Sequence, residues 1–243
     1  MKMRVDKFLT ATAVATRSES AKAAKQGRIL VNETVCKNPS LQIDPECDIV
    51  KFDGEIIVYQ KYIYILLNKP EGYVSATEDN REKTVLDLLP SKYHTMGLFP
   101  CGRLDKNTIG LMLLTNNGDL GHKLLSPKYH VSKVYRYTAK FPLSDEDIER
   151  LENGVAILDG YLTKPAKVMP DEDRISGEIC ITEGKYHQIK LMFEAVGNKI
   201  LSLERISFGP LQKDSSLERG EWRFLTKEEE TLLEEHCNEQ EKI

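Results

Sequence analysis

Long apolar runs are missing from this sequence of 243 residues. The longest uninterrupted one, residues 62–67, is too short to cross a bilayer. No segment near the start has the apolar stretch that a signal peptide needs. We therefore expect a soluble protein of the cytoplasm that does not associate with membranes.

Cysteine is scarce and irregularly placed. The five cysteines are an odd number, lie far apart and include no Cys-x-x-Cys pair. This pattern favours neither a disulfide framework nor a zinc site. The five histidines show no metal-ligand spacing either. We expect a reaction that needs no metal.

The chain has no excess of cations, with a net charge of -4, but its net positive charge is concentrated at one end. Residues 1–28 contain seven lysines and arginines against two carboxylates, whereas residues 226–243 contain two lysines against seven glutamates. The basic end suits a nucleic-acid partner. We interpret the acidic end as a solvated helix end or a disordered extension without a function of its own.

The most informative segment runs from residue 102 to residue 118. A polar turn with Arg103 and Asp105 leads into the apolar stretch IGLMLLT, which ends at an Asn-Gly turn. Both faces of that stretch are apolar, which is typical of a central strand. If the backbone at Asp105 is extended, Arg103 and Asp105 lie on one side and pair. From composition alone, however, an aspartate here more often caps a turn.

Two other segments place polar groups on regular elements. Alternation from residue 133 to 141 predicts a strand with a lysine and two tyrosines, Tyr135 and Tyr137, on one face, although strand tyrosines are most often packing residues. Residues 188–196 have the spacing of a helix with Lys190 near its start, where the helix dipole disfavours a cation. Glu194, one turn later, is one candidate partner for Lys190.

Two residues beside these segments have weaker signals. Lys69 follows the apolar run at 62–67, and we expect a structural role for it, with RNA contact or support of the Asp105 loop as alternatives. His187 precedes the predicted helix, and nothing near it in the sequence marks it as paired. We interpret it as an RNA contact only.

The N-terminal segment predicts a small helical module. Helical spacing from Val5 to Thr12 is followed by a capping box at residues 16–19, and Gly27 ends the second helix. Ala21 and Ala24 are expected to pack inward. A basic ridge then remains outside, although a lysine-bearing helix is by itself most often only a solvated face.

Taken in order, these motifs resemble the RsuA-type pseudouridine synthases. Residues 102–118 meet the pattern G-R-L-D-x-x-T-x-G-L-x-L-L-T-x-x-G at every fixed position. Residues 67–74, the K-x-Y at 133–135, and residues 183–198 and 201–211 resemble further motifs of that family. Residues 3–52 resemble the S4 RNA-binding domain. The resemblance extends from Arg4 to about residue 227.

The resemblance implies roles for individual residues. Asp105 is the catalytic aspartate, Lys190 forms an ion pair with it, and Tyr135 stacks on the target base. Leu203 is an apolar wall of the base pocket, or equally an ordinary core leucine, and Arg103 supports the site. No cofactor is implied, because the isomerisation involves no net redox change. The residues expected to bind RNA are cations of the N-terminal module: Arg4, Lys7, Arg17, Lys22, Lys25 and Arg28.

The predicted fold class is α+β. A small S4-type α/β RNA-binding domain with its linker (1–61) precedes a larger catalytic domain (62–228), and an acidic tail (229–243) follows. By resemblance, the larger domain has a mixed, mostly antiparallel sheet flanked by helices. We expect a monomer.

The predicted function is isomerisation of uridine to pseudouridine in rRNA. The wording of residues 160–166 and 183–188 favours small-subunit 16S rRNA. The alternatives are a sister enzyme acting on 23S rRNA, a non-catalytic S4-domain ribosome-assembly factor, and an S4-containing translational regulator.

Overall fold

The computed structural model describes residues 2–12, 14–158 and 160–239, which form two compact units. The first unit contains the described residues up to 63 together with 89–98, and the second contains 64–88 and those from 99 onward. Residues 62–63 and 89–98, which the prediction places in the catalytic domain, belong to the first unit, and the described part of the predicted acidic tail belongs to the second.

The first unit is a small α/β module. Strands β2, β3, β5 and β6 form a four-stranded sheet, and β1 pairs with β4. Its elements are β1 (Met3–Arg4), α1 (Val5–Ala11), α2 (Arg17–Lys25), β2 (Ile29–Val31), β3 (Thr34–Val35), β4 (Gln42–Ile43), β5 (Val50–Phe52) and β6 (Glu55–Ile57).

Helix α2 begins at the predicted capping box. The Thr16 hydroxyl accepts from the Glu19 backbone N–H at 3.2 Å, and the Glu19 carboxylate accepts from the Thr16 N–H at 2.8 Å. The buried residues of the helix are Ser20, Ala23 and Ala24. The prediction was wrong for Ala21, which stays partly exposed, because the inward face follows the 20, 23, 24 spacing.

The second unit contains a nine-stranded sheet flanked by helices. Its elements are β7 (Tyr64–Lys69), β8 (Phe99–Pro100), β9 (Ile109–Thr115), α3 (Gly118–Leu125), β10 (Lys133–Ala139), α4 (Asp145–Asn153), β11 (Ala156–Ile157), β12 (Tyr161–Leu162), β13 (Lys167–Pro170), β14 (Ser176–Ile181), α5 (Gln188–Ala195), β15 (Ile200–Phe208), β16 (Leu211–Gln212), β17 (Trp222–Phe224) and α6 (Lys227–Glu239), with short 3-10 helices at Val85–Leu88 and Pro127–Tyr129. A third 3-10 helix, Ser91–Met96, belongs to the first unit.

The sheet order is β13-β14-β10-β15-β9-β7-β17, with β16 beside β15 and β8 beside β9. Strand β9 runs parallel to β15 and antiparallel to β7, and all seven of its residues are buried. The mixed, mostly antiparallel sheet and the central position of β9 are therefore confirmed. A small pairing of β11 with β12 lies outside this sheet.

The acidic end of the chain is a helix over its described part. Leu233 and Cys237 of α6 are buried, and α6 packs near α3. The predicted solvated or disordered extension is thus wrong for this side of the helix, because two apolar side chains one turn apart share a face. None of the helices in the described part of the chain has the length and apolarity that a membrane crossing requires.

Gly110 allows β9 and β15 to lie close together. A Cβ at this position would meet the Arg205 carbonyl oxygen at 2.3 Å, and the backbone φ is +99°. We expect Gly110→Ala to lower the free energy of unfolding by at least about 1–3 kcal/mol, the cost of a strained backbone before the clash is counted. Urea unfolding measures this change.

Gly118→Ala is the matched control for Gly110→Ala. Gly118 is the first residue of α3, and nothing lies within 4 Å of the added methyl group. Alanine favours a helix over glycine, so we expect this protein to be as stable as wild type or slightly more stable. Equal stability of the two variants would show that the close approach of β9 and β15 is not needed.

Candidate active site

Asp105 lies in a turn that precedes the central strand. The Thr108 backbone N–H donates to the Asp105 carbonyl oxygen at 3.0 Å, and β9 begins only at Ile109. The turn is formed by residues 106 and 107, with Asp105 as its first residue, and the Asp105 carboxylate is directed at Lys190 rather than at Arg103. Arg103 is exposed and forms no ion pair with any described residue. The expected Arg103–Asp105 pair is wrong.

Lys69 supports this turn from beneath. Its Nζ donates to the carbonyl oxygens of Asp105 at 3.0 Å, Lys106 at 3.3 Å and Thr108 at 2.8 Å, and also to Pro70 at 3.1 Å. Antiparallel pairing of β7 with β9 sets Lys69 opposite Gly110, directly below the turn. Lys69 is fully buried, so support of the aspartate loop is confirmed and no surface remains for RNA.

The pKa of the Lys69 ammonium is lowered by burial from 10.5 to about 8. Between about pH 8 and 10.5 the unfolded chain therefore holds a proton that the folded chain has lost. The free energy of unfolding rises with pH wherever the unfolded state binds more protons, so Lys69 makes the protein more stable across this window. Below about pH 8 both states are protonated, and this contribution does not change.

We expect Lys69→Met to lower the free energy of unfolding by about 1–3 kcal/mol at pH 7, because buried carbonyls lose their donor. The difference in free energy of unfolding between wild type and Lys69→Met should increase from about pH 8 to 10.5, by about 1.4 kcal/mol for each unit of pKa shift. Urea unfolding at several pH values measures both effects. Lys106→Met is the control, because Lys106 is on the same turn but is exposed and pairs with Glu82 at the surface. This variant should show neither the lower stability at pH 7 nor the pH-dependent change.

The Asp105 carboxylate is held by Lys190. Lys190 Nζ donates to Asp105 Oδ2 at 2.5 Å and to Asn107 Oδ1 at 2.7 Å. The ion pair implied by the resemblance is thus confirmed, and Glu194 forms no salt bridge among the described residues. The two side chains are 25% and 21% exposed, so the pair is partly shielded from water. The carboxylate also explains why a cation is tolerated in the first turn of α5.

His187 is a second neighbour of the carboxylate that sequence reasoning missed. Its Nε2 lies 3.4 Å from Asp105 Oδ1. The residue caps α5 with a left-handed φ of +49°, and this conformation could not be read from the sequence. The spacing of three between His187 and Lys190 was an available signal, because such residues share a helix face. His187 is therefore more than the RNA contact we expected.

Tyr135 and Arg205 lie behind the aspartate. They are opposite each other in the pairing of β10 with β15. Burial raises the pKa of Tyr135, and the adjacent Arg205 guanidinium opposes that rise. Arg205 is 1% exposed, and its Nε donates to the Leu111 carbonyl oxygen at 2.7 Å while its guanidinium lies 4.9 Å from the Phe208 ring centroid.

Arg205 was also missed by sequence reasoning. It alternates with Leu203, whose place in the core we predicted, so the period of two would have put it on the same inward face. Tyr137, by contrast, is buried 4.9 Å from the Phe193 ring, which confirms its packing role. The strand predicted to reach residue 141 ends at Ala139, and Phe141 is exposed.

The Asp105 carboxylate, Lys190, His187 and Tyr135 line one pocket of about 430 Å³, a volume that includes space open to solvent. Its wall brings together all five residues that the sequence placed in the site. The full lining is Arg103, Leu104, Asp105, Thr108, Tyr135, Ile181, Gly184, Lys185, His187, Gln188, Ile189, Lys190 and Leu203. Leu203 is buried and lines the pocket, so its two predicted roles coincide. A carboxylate held by a lysine here can act as a nucleophile or a base beside an apolar and aromatic wall.

The cations predicted to bind RNA all lie exposed on the first unit. Arg4 pairs with Asp6 at 2.6 Å, and Arg28 pairs with Asp53. The other four form no salt bridge with a described residue: Lys7, Arg17, Lys22 and Lys25. Their charge is therefore available to a partner.

Comparison with known proteins agrees with this geometry. The family profile for RNA pseudouridylate synthases matches residues 63–195, and that for the S4 domain matches residues 3–50. An uncharacterised RNA pseudouridine synthase of Bacillus subtilis is 45% identical over 236 residues, covering 96% of this chain and 99% of the relative.

The ribosomal small subunit pseudouridine synthases A of Vibrio vulnificus and Escherichia coli are 41% and 37% identical, each covering 93% of this chain and 97% and 98% of the relative. A crystal structure of a pseudouridylate synthase superposes with a TM-score of 0.67 at 35% identity, over 95% of this chain and 99% of that one. The chain therefore belongs to the RNA pseudouridylate synthase family and is an isomerase with an S4 domain at its N-terminus.

Proposed function

We propose that this protein converts a uridine of small-subunit 16S rRNA to pseudouridine, with Asp105 as the catalytic residue. The observation that carries the proposal is the Asp105 carboxylate, held 2.5 Å from Lys190 Nζ in a pocket lined by Tyr135 and Leu203. The relatives named as small-subunit pseudouridine synthases support the substrate. A substrate of this kind places the enzyme in the cytoplasm.

The reaction breaks the bond between N1 of uracil and C1′ of the ribose, turns the base, and joins C5 to C1′. N1 gains a proton and C5 loses one, so no electrons are gained or lost. Asp105 can attack C1′ as a nucleophile or remove the C2′ proton, and both routes need a charged carboxylate. Burial disfavours that charge, and the Lys190 ammonium offsets the cost.

The uridine has to leave its helical stack before the carboxylate can reach the ribose. Flipping a base out of paired RNA costs a few kcal/mol. Stacking on an aromatic ring is worth about 1–3 kcal/mol, so the Tyr135 ring can offset much of this cost. Leu203 closes the apolar side of the same pocket.

The first unit supplies RNA affinity in this proposal. The exposed cations of α1 and α2 neutralise phosphates, which positions the RNA without reading its sequence. Lys7, Arg17, Lys22 and Lys25 contribute most, because Arg4 and Arg28 already pair with carboxylates of the protein. One chain supplies both the pocket and these cations, so we propose that the enzyme acts as a monomer.

Tritium release from C5-labelled uridine tests the proposal. The substrates are 16S and 23S transcripts, each free and with ribosomal proteins bound. We expect release from 16S RNA, since C5 loses its hydrogen when it joins C1′. Release from 23S RNA alone would contradict the substrate, and no release from any RNA would favour a binding factor that assists ribosome assembly.

A further inference from the structure

Tyr186 carries an exposed aromatic ring beside the pocket. Its neighbours Lys185 and His187 both line the pocket, whereas Tyr186 does not line it and is 68% exposed. One face of its ring stacks on His187, with centroids 3.9 Å apart and planes 16° apart. The high exposure leaves the other face open to solvent.

The stacked pair of Tyr186 and His187 lies next to the carboxylate of Asp105. His187 Nε2 is 3.4 Å from Asp105 Oδ1, so only the His187 side chain lies between the Tyr186 ring and that carboxylate. A single exposed aromatic residue is ordinary on a protein surface. An aromatic ring stacked on the histidine beside the Asp105 carboxylate, however, lies where the RNA strand that carries the target uridine has to pass.

The loop that carries Tyr186 is held in place by buried polar groups. Gln188 Oε1 accepts from the Lys185 backbone N–H at 2.9 Å, and Gln188 Nε2 donates to Glu183 Oε1 at 2.8 Å. Glu183 is buried and also accepts from the Tyr161 hydroxyl at 2.8 Å. Lys185 Nζ lies 4.3 Å from the Tyr161 ring centroid. Because these contacts hold the loop, the Tyr186 ring is preorganised for binding.

Charge around the ring suits a polyanion. Lys185 directly precedes Tyr186, lines the pocket and forms no salt bridge with a described residue, whereas the charge of Lys190 is already paired with Asp105. Lysines near aromatic faces form the usual surface for single-stranded nucleic acid, because phosphates meet the cations and bases stack on the rings. In the proposed function the pocket takes the base of the target uridine, which leaves the Tyr186 ring for another base.

We propose that Tyr186 is a stacking platform for the base of a nucleotide next to the target uridine, a second base subsite outside the pocket. This inference rests on the proposed function, since it assumes an RNA strand entering at Asp105. The platform holds the flanking nucleotide while the target uridine is turned, and it favours RNA in which that neighbour is unpaired.

A binding cycle between protein and RNA tests the platform. Dissociation constants are measured for Asp105→Asn protein, which needs no turnover, with the smallest 16S fragment it binds and with copies lacking one base at a time. We expect Tyr186→Ala to weaken binding of the intact fragment about 5- to 100-fold, and Tyr186→Phe to bind like Tyr186. On the fragment that lacks the base stacked on Tyr186, the proteins with and without Tyr186→Ala should have the same dissociation constant.

Phe141→Ala is the matched control, because Phe141 is also an exposed aromatic residue of this unit, but its chain neighbours, unlike those of Tyr186, do not line the pocket. It should bind all fragments like the parent protein. Unchanged binding by Tyr186→Ala, or the same loss on every abasic fragment, would overturn the platform. Absence of pseudouridine formation by wild type with the coupling intact would instead overturn the proposed function.

Discussion

Asp105→Asn is expected to abolish pseudouridine formation while leaving RNA binding within about threefold of wild type. The amide keeps the shape of the carboxylate but can neither attack C1′ nor take a proton from C2′. Loss of a positioned acid–base group reduces rates by at least about 10²–10⁴-fold. Single-turnover tritium release measures the rate, and filter binding measures the affinity.

The control for this substitution is Asp171→Asn. Asp171 is an aspartate of the same unit that is ion-paired with Arg136, outside the pocket. Its variant should retain the wild-type rate, which separates loss of the reacting carboxylate from loss of an ion pair. Substantial pseudouridine formation by Asp105→Asn would contradict a mechanism that depends on the Asp105 carboxylate.

Lys190→Ala is expected to reduce the single-turnover rate about 10²–10³-fold, the range seen when one preorganised electrostatic partner is removed. The ammonium lies 2.5 Å from Asp105 Oδ2 and is only 21% exposed, so water replaces it poorly. Single-turnover tritium release measures this rate.

Two further variants define the role of this ammonium. Lys190→Arg keeps the charge and should retain part of the rate, although its planar fork does not reproduce the two contacts of the compact ammonium, to Asp105 and Asn107. Lys199→Ala removes an exposed lysine just beyond the same helix and should behave like wild type. Near-normal turnover by Lys190→Ala would reject the ion pair as a condition for activity.

Local patterns in the sequence determined the elements that carry the site. The two apolar faces of β9, the capping box of α2 and the buried face of α5 all depend on neighbours within one or two turns or along one strand. Asp105 and Lys190 are 85 residues apart, and their pairing was predicted by the resemblance to a family rather than by periodicity.

Tertiary structure alone decided which groups meet at the carboxylate. Arg103 stays exposed without an ion pair to Asp105, and a left-handed residue brings His187 to the carboxylate. Pairing of β7 with β9 placed Lys69 under the turn, and pairing of β10 with β15 placed Arg205 behind Tyr135. The sequence by itself determined the strands and helices, because these follow from local spacing, and its resemblance to a family indicated the motif that carries Asp105. The neighbours of Asp105 depend on strand register and single backbone angles, which bring together residues that no local pattern connects.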